Sequence, residues 1–575
     1  MCGIFGYFNL DRESIEDDCI LKMAQKLKHR GPDDEGKFIS DGILLGNRRL
    51  SIIDIEGGKQ PFYSNDRKIV VVQNGEIYNH IELAEEVKLR GNPCVTNSDT
   101  EVLLRLYELD GMSFLNKLNG MFSIAIYDDR VEELILARDR IGVKPLFYFR
   151  EGNSIIFASE IKSILQSVNK KPPISTKGIS HFLSFGFVPL PYTIYKGIYH
   201  VMPGEFISFS KNELHREKWW DLSKIEPQYE RKETDWIEEF NFLIKDSTRL
   251  RLRSDVPFGA FLSGGVDSST IVGLMSEINE SPIKTFSIGF SNPKYDETEF
   301  AIYAAKRFGT EHQYKIVEHD MLDLWPTAIY FCDQPHGDIS FLPTFKVSEI
   351  AKNKVTVVLT GDGGDELFGG YEKYIDKTNN DLKTYFKNIT IFDDDEKKNI
   401  ANINHSNSFN FFNTIAKEVN HQDHLNKKLY LDMKTLLPGN NLVKPDRMGM
   451  ALSLEARTPF LDYRVMELAF KMPGSLKIKN NQTKYIYKKA VRNLIGDKLT
   501  FRKKQMFTVP VGDWFKDKRY SFCKDRIRNL KEKTDFINTN YVNQLLEEHV
   551  KGLRNRTREI RTIISFSHWI DQYVS

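Results

Sequence analysis

Cysteine is scarce and scattered in this chain. Cys2, Cys19, Cys94, Cys332 and Cys523 are odd in number, and no two stand at a CxxC spacing. That pattern excludes a disulfide framework, argues against a zinc site and fits a reducing cytoplasm. Long apolar runs are missing too, since none approaches the roughly 18–20 residues that span a bilayer. The opening Met-Cys-Gly-Ile-Phe-Gly lacks the basic-then-apolar order of a secretory signal. No sign of charge dominates: 81 Lys and Arg stand against 79 Asp and Glu, a formal net charge of +2. That balance points neither to nucleic acid nor to a membrane surface, and leaves small molecules as the expected partners.

What the chain does have is length. At 575 residues it exceeds what one hydrophobic core supports, so two domains are the minimum. The first two hundred residues are rich in β-branched runs (68–73, 122–127, 133–137) with turn signals at Asn74-Gly75 and Asn119-Gly120. Residues 210–230 turn polar and read as a linker. Beyond 235, strand-like segments alternate with helical ones: 258–262 with 269–278, then 284–290 with 297–308, then a strand at 355–360. Such alternation predicts a parallel sheet covered by helices. The stretch 379–426 is biased toward Asn, Lys, Asp and Phe and reads as an irregular helical insertion without chemistry.

Cys2 directly follows the initiator Met, and its small side chain suits removal of Met1. The product would carry an α-amine, pKa about 8, on the same residue as a thiol of pKa about 8.5. The amine can then act as the thiol's own base. Further segments follow in order: His-Arg-Gly-Pro-Asp at 29–33, Arg-Arg-Leu-Ser-Ile at 48–52, Asn-Gly-Glu-Ile-Tyr-Asn at 74–79, Ser-Asp-Thr-Glu at 98–101, Leu-Asn-Gly-Met-Phe at 118–122 and Ala-Arg-Asp-Arg-Ile-Gly-Val-Lys-Pro-Leu at 137–146. This series resembles the N-terminal-nucleophile glutaminase of class II glutamine amidotransferases, an αββα sandwich, here over 2–215. The resemblance implies that Cys2 is the nucleophile and that Arg49, Leu50, Ser51, Ile52 and Ile53 form part of the glutamine pocket. Arg49 would hold the α-carboxylate, for which a guanidinium fork fits. Asp99 would take the α-ammonium, aided by Glu76. Asn74 and the backbone N–H of Gly75 would form the oxyanion hole. Read without the family, Asn74-Gly75 is a hairpin turn.

A second site announces itself at Ser263-Gly264-Gly265-Val266-Asp267-Ser268-Ser269, between a predicted strand and a predicted helix. Glycines let backbone approach an anion, and N–H groups at the helix start face it. Asp267 beside phosphates implies Mg²⁺. The Walker lysine is absent, and the loop resembles that of ATP pyrophosphatases, which cleave ATP to AMP and pyrophosphate. Thr360-Gly361-Asp362-Gly363-Gly364-Asp365-Glu366 follows an apolar strand, where α/β sheets bind ligands, and its spacing does not fit an EF-hand. Asp365 is the expected second Mg²⁺ ligand.

Lys-Pro-Asp-Arg-Met at 444–448, Ser-Leu-Glu-Ala-Arg-Thr-Pro-Phe-Leu-Asp at 453–462, Lys-Tyr-Ile-Tyr-Lys-Lys-Ala at 484–490, Arg502-Lys503-Lys504 and 510–515 narrow the resemblance to asparagine synthetase-like enzymes. It implies an α/β ATP-pyrophosphatase domain over 235–575. Lys484 would contact the phosphates, while Leu262, Ile288, Thr360 and Gly361 would take adenine and ribose. Lys488 and Lys489 read as a solvated basic face. A homodimer is compatible with the sequence.

The acceptor carboxylate stays open between aspartate and a uronic acid. The chain has Thr360-Gly361-Asp362-Gly363 where asparagine synthetases carry Ser-Gly-Glu-Gly, and Asp333-Gln334-Pro335 where they carry Asp-Glu-Pro. A regulatory, non-catalytic homologue would have lost Cys2, Asp267 or Lys484, and all three are present.

Overall fold

The computed structural model describes residues 2–168, 170–210, 213–375, 381–503 and 509–574. Lys504 and residues 379–380 of the Asn-rich stretch lie outside them. Strand Ile69–Ile77 shows how the first half is layered. Ile69 and Val71 pack to one side, Val70 and Val72 to the other, and all four are buried. A strand buried on both faces needs a covering layer on each. One layer is helices His80–Leu89 and Asp99–Asp110, through Leu83, Val87, Val102 and Leu106. The other is a second sheet, through Ile4, Phe8, Ile43 and Leu45.

The sheet containing Ile69–Ile77 has the order Leu214–Lys218, Glu205–Phe209, Glu133–Arg138, Gly120–Asp128, Ile69–Ile77, Phe62–Tyr63. Its partner runs Ile198–His200, Phe147–Glu151, Ser154–Ala158, Gly3–Asn9, Ile43–Arg49, Asp34–Ser40. Every pairing in both is antiparallel. Helix Asp17–Lys26 closes the outer face of the second sheet, with Ile20, Met23 and Ala24 against Phe5 and Leu44. The result is the expected αββα sandwich.

Two local readings need correction. Asn74-Gly75 is no hairpin turn; it lies inside Ile69–Ile77, where Asn74 pairs with Ser123 and Gly75 with Phe122. Glycine is required because a Cβ at Gly75 would lie 2.0 Å from the Met121 carbonyl oxygen. The polar stretch read as a linker from 210 contains the strand Leu214–Lys218, so the sheet runs past the boundary expected at 215. Its residues are polar because an edge strand exposed to solvent suits charged side chains.

The second half holds the expected parallel sheet, in the order Glu311–Val317, Lys284–Phe290, Phe258–Phe261, Val357–Leu359, Glu455–Arg457. Chain order makes Phe258–Phe261 the start. The chain first builds outward on one side and then returns to add Val357–Leu359 on the other. The crevice beyond these two strands is therefore a topological switch point, where open α/β sheets bind ligands. The insertion after residue 381 forms helices Leu382–Ile389, Ser408–Lys417 and His424–Lys434 around Tyr385, Phe386, Phe412 and Leu431. Among the described residues, no helix is long and apolar enough to cross a membrane.

The domains share buried surface. Leu50, Ile52, Tyr78 and Met121 belong to the same apolar cluster as Phe460, Leu461 and Val465. Charge also crosses this contact. Arg30 is fully buried and donates two hydrogen bonds to Asp446, at 2.9 and 3.1 Å, and one to Glu160 at 3.0 Å. Arg447 reaches Glu160 at 2.7 Å, and Lys162 reaches Asp333 at 2.8 Å. Removing one partner strands the other's charge in a low dielectric, at a cost of roughly 3–5 kcal/mol. Asp446→Ala is expected to destabilise the protein by about that amount, seen as a lower urea midpoint. A midpoint equal to that of the unsubstituted protein would mean that Arg30 finds equivalent compensation.

Candidate active sites in two domains

Cys2 opens the strand Gly3–Asn9 and is buried. Its backbone N–H donates to Asn74 Oδ1 at 3.1 Å, and the Asn74 amide donates to Ser159 Oγ at 3.3 Å. Arg30 Nε donates to the Cys2 carbonyl at 3.1 Å. Burial pushes the Cys2 thiol above its usual range, outweighing the Leu50 backbone N–H and the Arg49 charge, which both oppose it. A thiol whose ionised form is disfavoured by burial would need a base within reach to act as a nucleophile.

Asn74 and Glu76 are two residues apart on one strand, so they present side chains to the same face. Glu76 is buried there, and its carboxyl lies well above the usual range because of burial, then Glu455 and Asp99, with Arg457 opposing. Asp99 begins the helix Asp99–Asp110, capped by Ser98, and accepts from Gln73 Nε2 and the Ile77 N–H, both at 2.9 Å. Arg49 departs from a bare substrate fork. Its guanidinium donates to the carbonyls of Ile53 (3.0 Å), Asp54 (2.7 Å) and Ile55 (2.9 Å), holding the loop that follows. Arg49, Leu50 and Ser51 line an open cavity of about 460 Å³ together with Asp33, Ile55 and Lys59. The Ile52 side chain instead packs in the shared apolar cluster between the domains, and Ile53 packs against it.

The second site lies at the switch point. A cavity of about 310 Å³ is lined by Leu262, Ser263, Gly265, Asp267, Ser268, Ile288, Thr360, Gly361, Asp362, Asp365 and Lys484. Two expected residues stand behind it. Gly264, at φ +70°, backs onto Phe300, and Ser269 Oγ is buried in the first turn of Val266–Ile278 with no hydrogen-bond partner among the described residues.

Lys484 Nζ reaches both Asp267 carboxylate oxygens at 2.6 Å and Asp365 Oδ1 at 2.7 Å. Lys484 itself sits in the left-handed region, φ +54°, just before helix Tyr485–Ile495. This approach is possible because glycines surround it. A Cβ at Gly364 would lie 2.6 Å from Asp267 Oδ1, and one at Gly370 would lie 1.8 Å from Asp365 Oδ1 and 2.3 Å from Lys484 Cε. Two carboxylates converging on one cation suit Mg²⁺, which takes one or two protein carboxylates and completes its shell with phosphate and water. Asp362 accepts from Thr360 Oγ1 at 2.7 Å, and burial raises its carboxyl. Glu366, buried beside Asp365, is raised to about 7 and accepts from Tyr371 and Asn441, both at 2.5 Å.

Lys488 corrects the reading of a solvated basic face. It stands one helical turn after Lys484 and lines the cavity, whereas Lys489 is exposed and pairs with Glu233. Lys444, of the Lys-Pro-Asp-Arg-Met segment, also lines the cavity and donates to Asp338 at 2.8 Å. Arg30, Ser159 and Asp446 had no expected role. Arg30 and Asp446 lay in segments already noted, but their pairing spans 416 positions, which no local pattern reveals.

An αββα glutaminase sandwich followed by an α/β ATP-binding synthetase domain defines a glutamine-dependent amidotransferase. A family model described as asparagine synthase matches residues 239–571, and one described as glutamine amidotransferase domain matches residues 1–220. The chain belongs to the asparagine synthase family. It is 34% identical to asparagine synthetase [glutamine-hydrolyzing] 1 of Bacillus subtilis, over 99% of this chain and 96% of that one. It is 31% identical to asparagine synthetase [glutamine-hydrolyzing] 3 of the same organism, over 90% and 89%. Amidase chry2 of Gibberella zeae is 26% identical over 99% and 98%.

Gly370→Ala tests the crowding around Lys484. The added methyl is expected to drive Asp365 and Lys484 apart and lower ATP-dependent turnover on the order of a hundredfold, with glutamine hydrolysis retained. Pyrophosphate release and glutamate formation measure the two halves separately. Equal rates of pyrophosphate release in both proteins would refute the need for this contact.

Proposed function

We propose that the protein is a glutamine-hydrolysing asparagine synthetase, converting ATP, L-aspartate, L-glutamine and water into AMP, diphosphate, L-asparagine and L-glutamate. The observation that carries the reading is the convergence of Asp267, Asp365 and Lys484 beside Asp362 in one cavity at the switch point. The first domain supplies the nitrogen donor chemistry. The kinship with the two Bacillus subtilis synthetases supports aspartate as the acceptor.

In this reading the Cys2 sulfur attacks the glutamine side-chain carbon, with the α-amine left by loss of Met1 taking the thiol proton. The contact from Cys2 nitrogen to Asn74 Oδ1 suits that amine, aiming it while the Asn74 amide group and the Gly75 N–H receive the oxyanion. The carbon–nitrogen bond breaks, ammonia leaves with the proton, and water cleaves the thioester to glutamate. Glu76 and Asp99 take the substrate's ammonium. Arg49 supports the pocket by fixing the loop 53–55 and receives the α-carboxylate.

In the second domain an oxygen of the acceptor carboxylate attacks the α-phosphorus and pyrophosphate leaves. Ammonia then attacks the acyl carbon and AMP departs. Asp267 and Asp365 would hold Mg²⁺, which neutralises phosphate charge when bound. Lys484 stabilises the charge that develops on the phosphates. Ammonia reaches this site through the interior. A cavity of about 40 Å³ lined by Arg138, Val143, His336 and Arg447 lies between the domains, with room for a molecule of water's size.

One observation favours a second acceptor, a sugar carboxylate. The Thr360 hydroxyl holds the short Asp362 side chain to its own loop, which leaves space where a longer glutamate would reach.

Cys2→Ala is expected to abolish glutamine hydrolysis and preserve amide synthesis from added ammonium. Loss of both activities in a folded protein would contradict a division of labour between domains. Acceptor identity is read by mass spectrometry of the amide formed from aspartate and from nucleotide-linked uronic acids. Asparagine is expected, with AMP and pyrophosphate as co-products and with turnover that survives Asp362→Glu. A uronamide as sole product, or ADP and phosphate in stoichiometric amount, would overturn the assignment.

A further inference from the structure

Strand Glu455–Arg457 is the edge of the parallel sheet, yet all three residues are buried. The first domain stands against it. Glu455 and Arg457 are two apart and share a face, and that face looks out of the second domain toward the glutamine pocket. Arg457 is firmly held: Nε donates to Glu455 at 2.6 Å, and Nη1 donates to the carbonyls of Arg251 and Arg253 at 2.8 and 2.6 Å. Nη2 alone has no hydrogen bond among the described residues. It faces Glu76 Oε2 at 3.9 Å, and that oxygen is likewise buried without a hydrogen-bond partner. The guanidinium also lies over the Tyr78 ring, 5.6 Å from its centre, and Tyr78 follows Glu76 by two residues.

A buried guanidinium nitrogen and a buried carboxyl oxygen, neither with a hydrogen-bond partner among the described residues, face one another across the domain boundary. A buried polar atom without a partner is costly, and such atoms concentrate where a ligand completes the set. Glu76 shares the face of Asn74, the residue that touches Cys2. Burial, Glu455 and Asp99 disfavour its ionised form, and Arg457, followed by the N-terminal amine, opposes them.

We propose that Arg457, fixed by Glu455, is a positioning residue for glutamine binding: from the synthetase domain it orients Glu76 against the ammonium group of glutamine. The inference rests on the reading of Glu76 and Asp99 as the ammonium site. Its consequence is that the glutaminase pocket is complete only while the two domains are docked. The nucleotide loop shares the same strand, since the Thr360 N–H donates to the Arg457 carbonyl at 2.9 Å. That contact is made by backbone and survives side-chain replacement.

The test is a double-mutant cycle in the full-length protein, reading kcat and KM for glutamine hydrolysis and, separately, amide synthesis from ammonium. Arg457→Gln is expected to raise the glutamine KM about tenfold, the worth of one charge-assisted contact, with kcat and ammonium-dependent synthesis little changed. In a Glu76→Gln background the same replacement should leave KM unaltered, because Glu76 is the group through which Arg457 acts. Glu455→Gln preserves size and releases only the Nε anchor, so it should raise KM in the same direction by a smaller factor. It carries the test if Arg457→Gln fails to fold. Additive effects of Glu76→Gln and Arg457→Gln would overturn the proposal, as would a glutamine KM unmoved by Glu455→Gln and Arg457→Gln while Glu76→Gln raises it. A KM unmoved by Glu76→Gln alone would instead overturn the reading of the ammonium site.

Discussion

One buried guanidinium ties the molecule together. Arg30 holds the carbonyl of Cys2 with Nε and spends its remaining donors on Glu160 and Asp446. Asp446 lies two residues from Lys444, which lines the cavity at the switch point of the parallel sheet. Cys2 in one domain is thus linked to a residue of the other domain's cavity by two side-chain contacts and two residues of chain. Arg30 and Glu160 belong to the first domain and Asp446 to the second, so the full set of partners around the buried guanidinium is assembled from both domains. The burial of such a set has little value for net stability. Its value is in registry, because a planar fork accepts two carboxylates in few geometries.

Around this contact each site has solved a crowding problem with glycine. The first threads Gly75 through a strand pairing that leaves no space for a Cβ, so Asn74 and Glu76 can face Cys2 from a rigid sheet instead of a mobile turn. The second places Gly361, Gly364 and Gly370 where any side chain would strike Asp267, Asp365 or Lys484. Rigid elements hold reacting groups more closely than loops do. The acidic pair lines the cavity and is balanced by Lys484, which pairs with both carboxylates.

Much of this is legible in the sequence. The alternation of strand and helix after residue 235 follows from hydrophobic period, and the strand Lys284–Phe290 lies where that period placed it. The loop at 263–269 and the acidic loop at 360–365 stand out by their chemistry, because glycine, serine and carboxylate beside a strand end have few other uses. What failed was locality. Asn74-Gly75 has the signature of a turn, but the adjoining strand overrides it. The polar segment at 214–218 is an edge strand, since polarity marks exposure and not the absence of hydrogen bonding. Lys488 read as a surface charge until the helix turned it onto the face of Lys484. Arg30 with Asp446, and Glu76 with Arg457, are pairs made by docking two domains, and no sequence window contains both members.

The central claim is that nitrogen released at Cys2 is consumed in the cavity of Asp362 and Lys484 within the same molecule. The most direct measurement supplies glutamine labelled with ¹⁵N in its side-chain amide, together with ATP, aspartate and an excess of unlabelled ammonium, and follows the isotope in the amide product. The account predicts product enriched in ¹⁵N well above the ammonium pool in solution. Product whose label merely matches that pool, while glutamate forms at an undiminished rate, would contradict it.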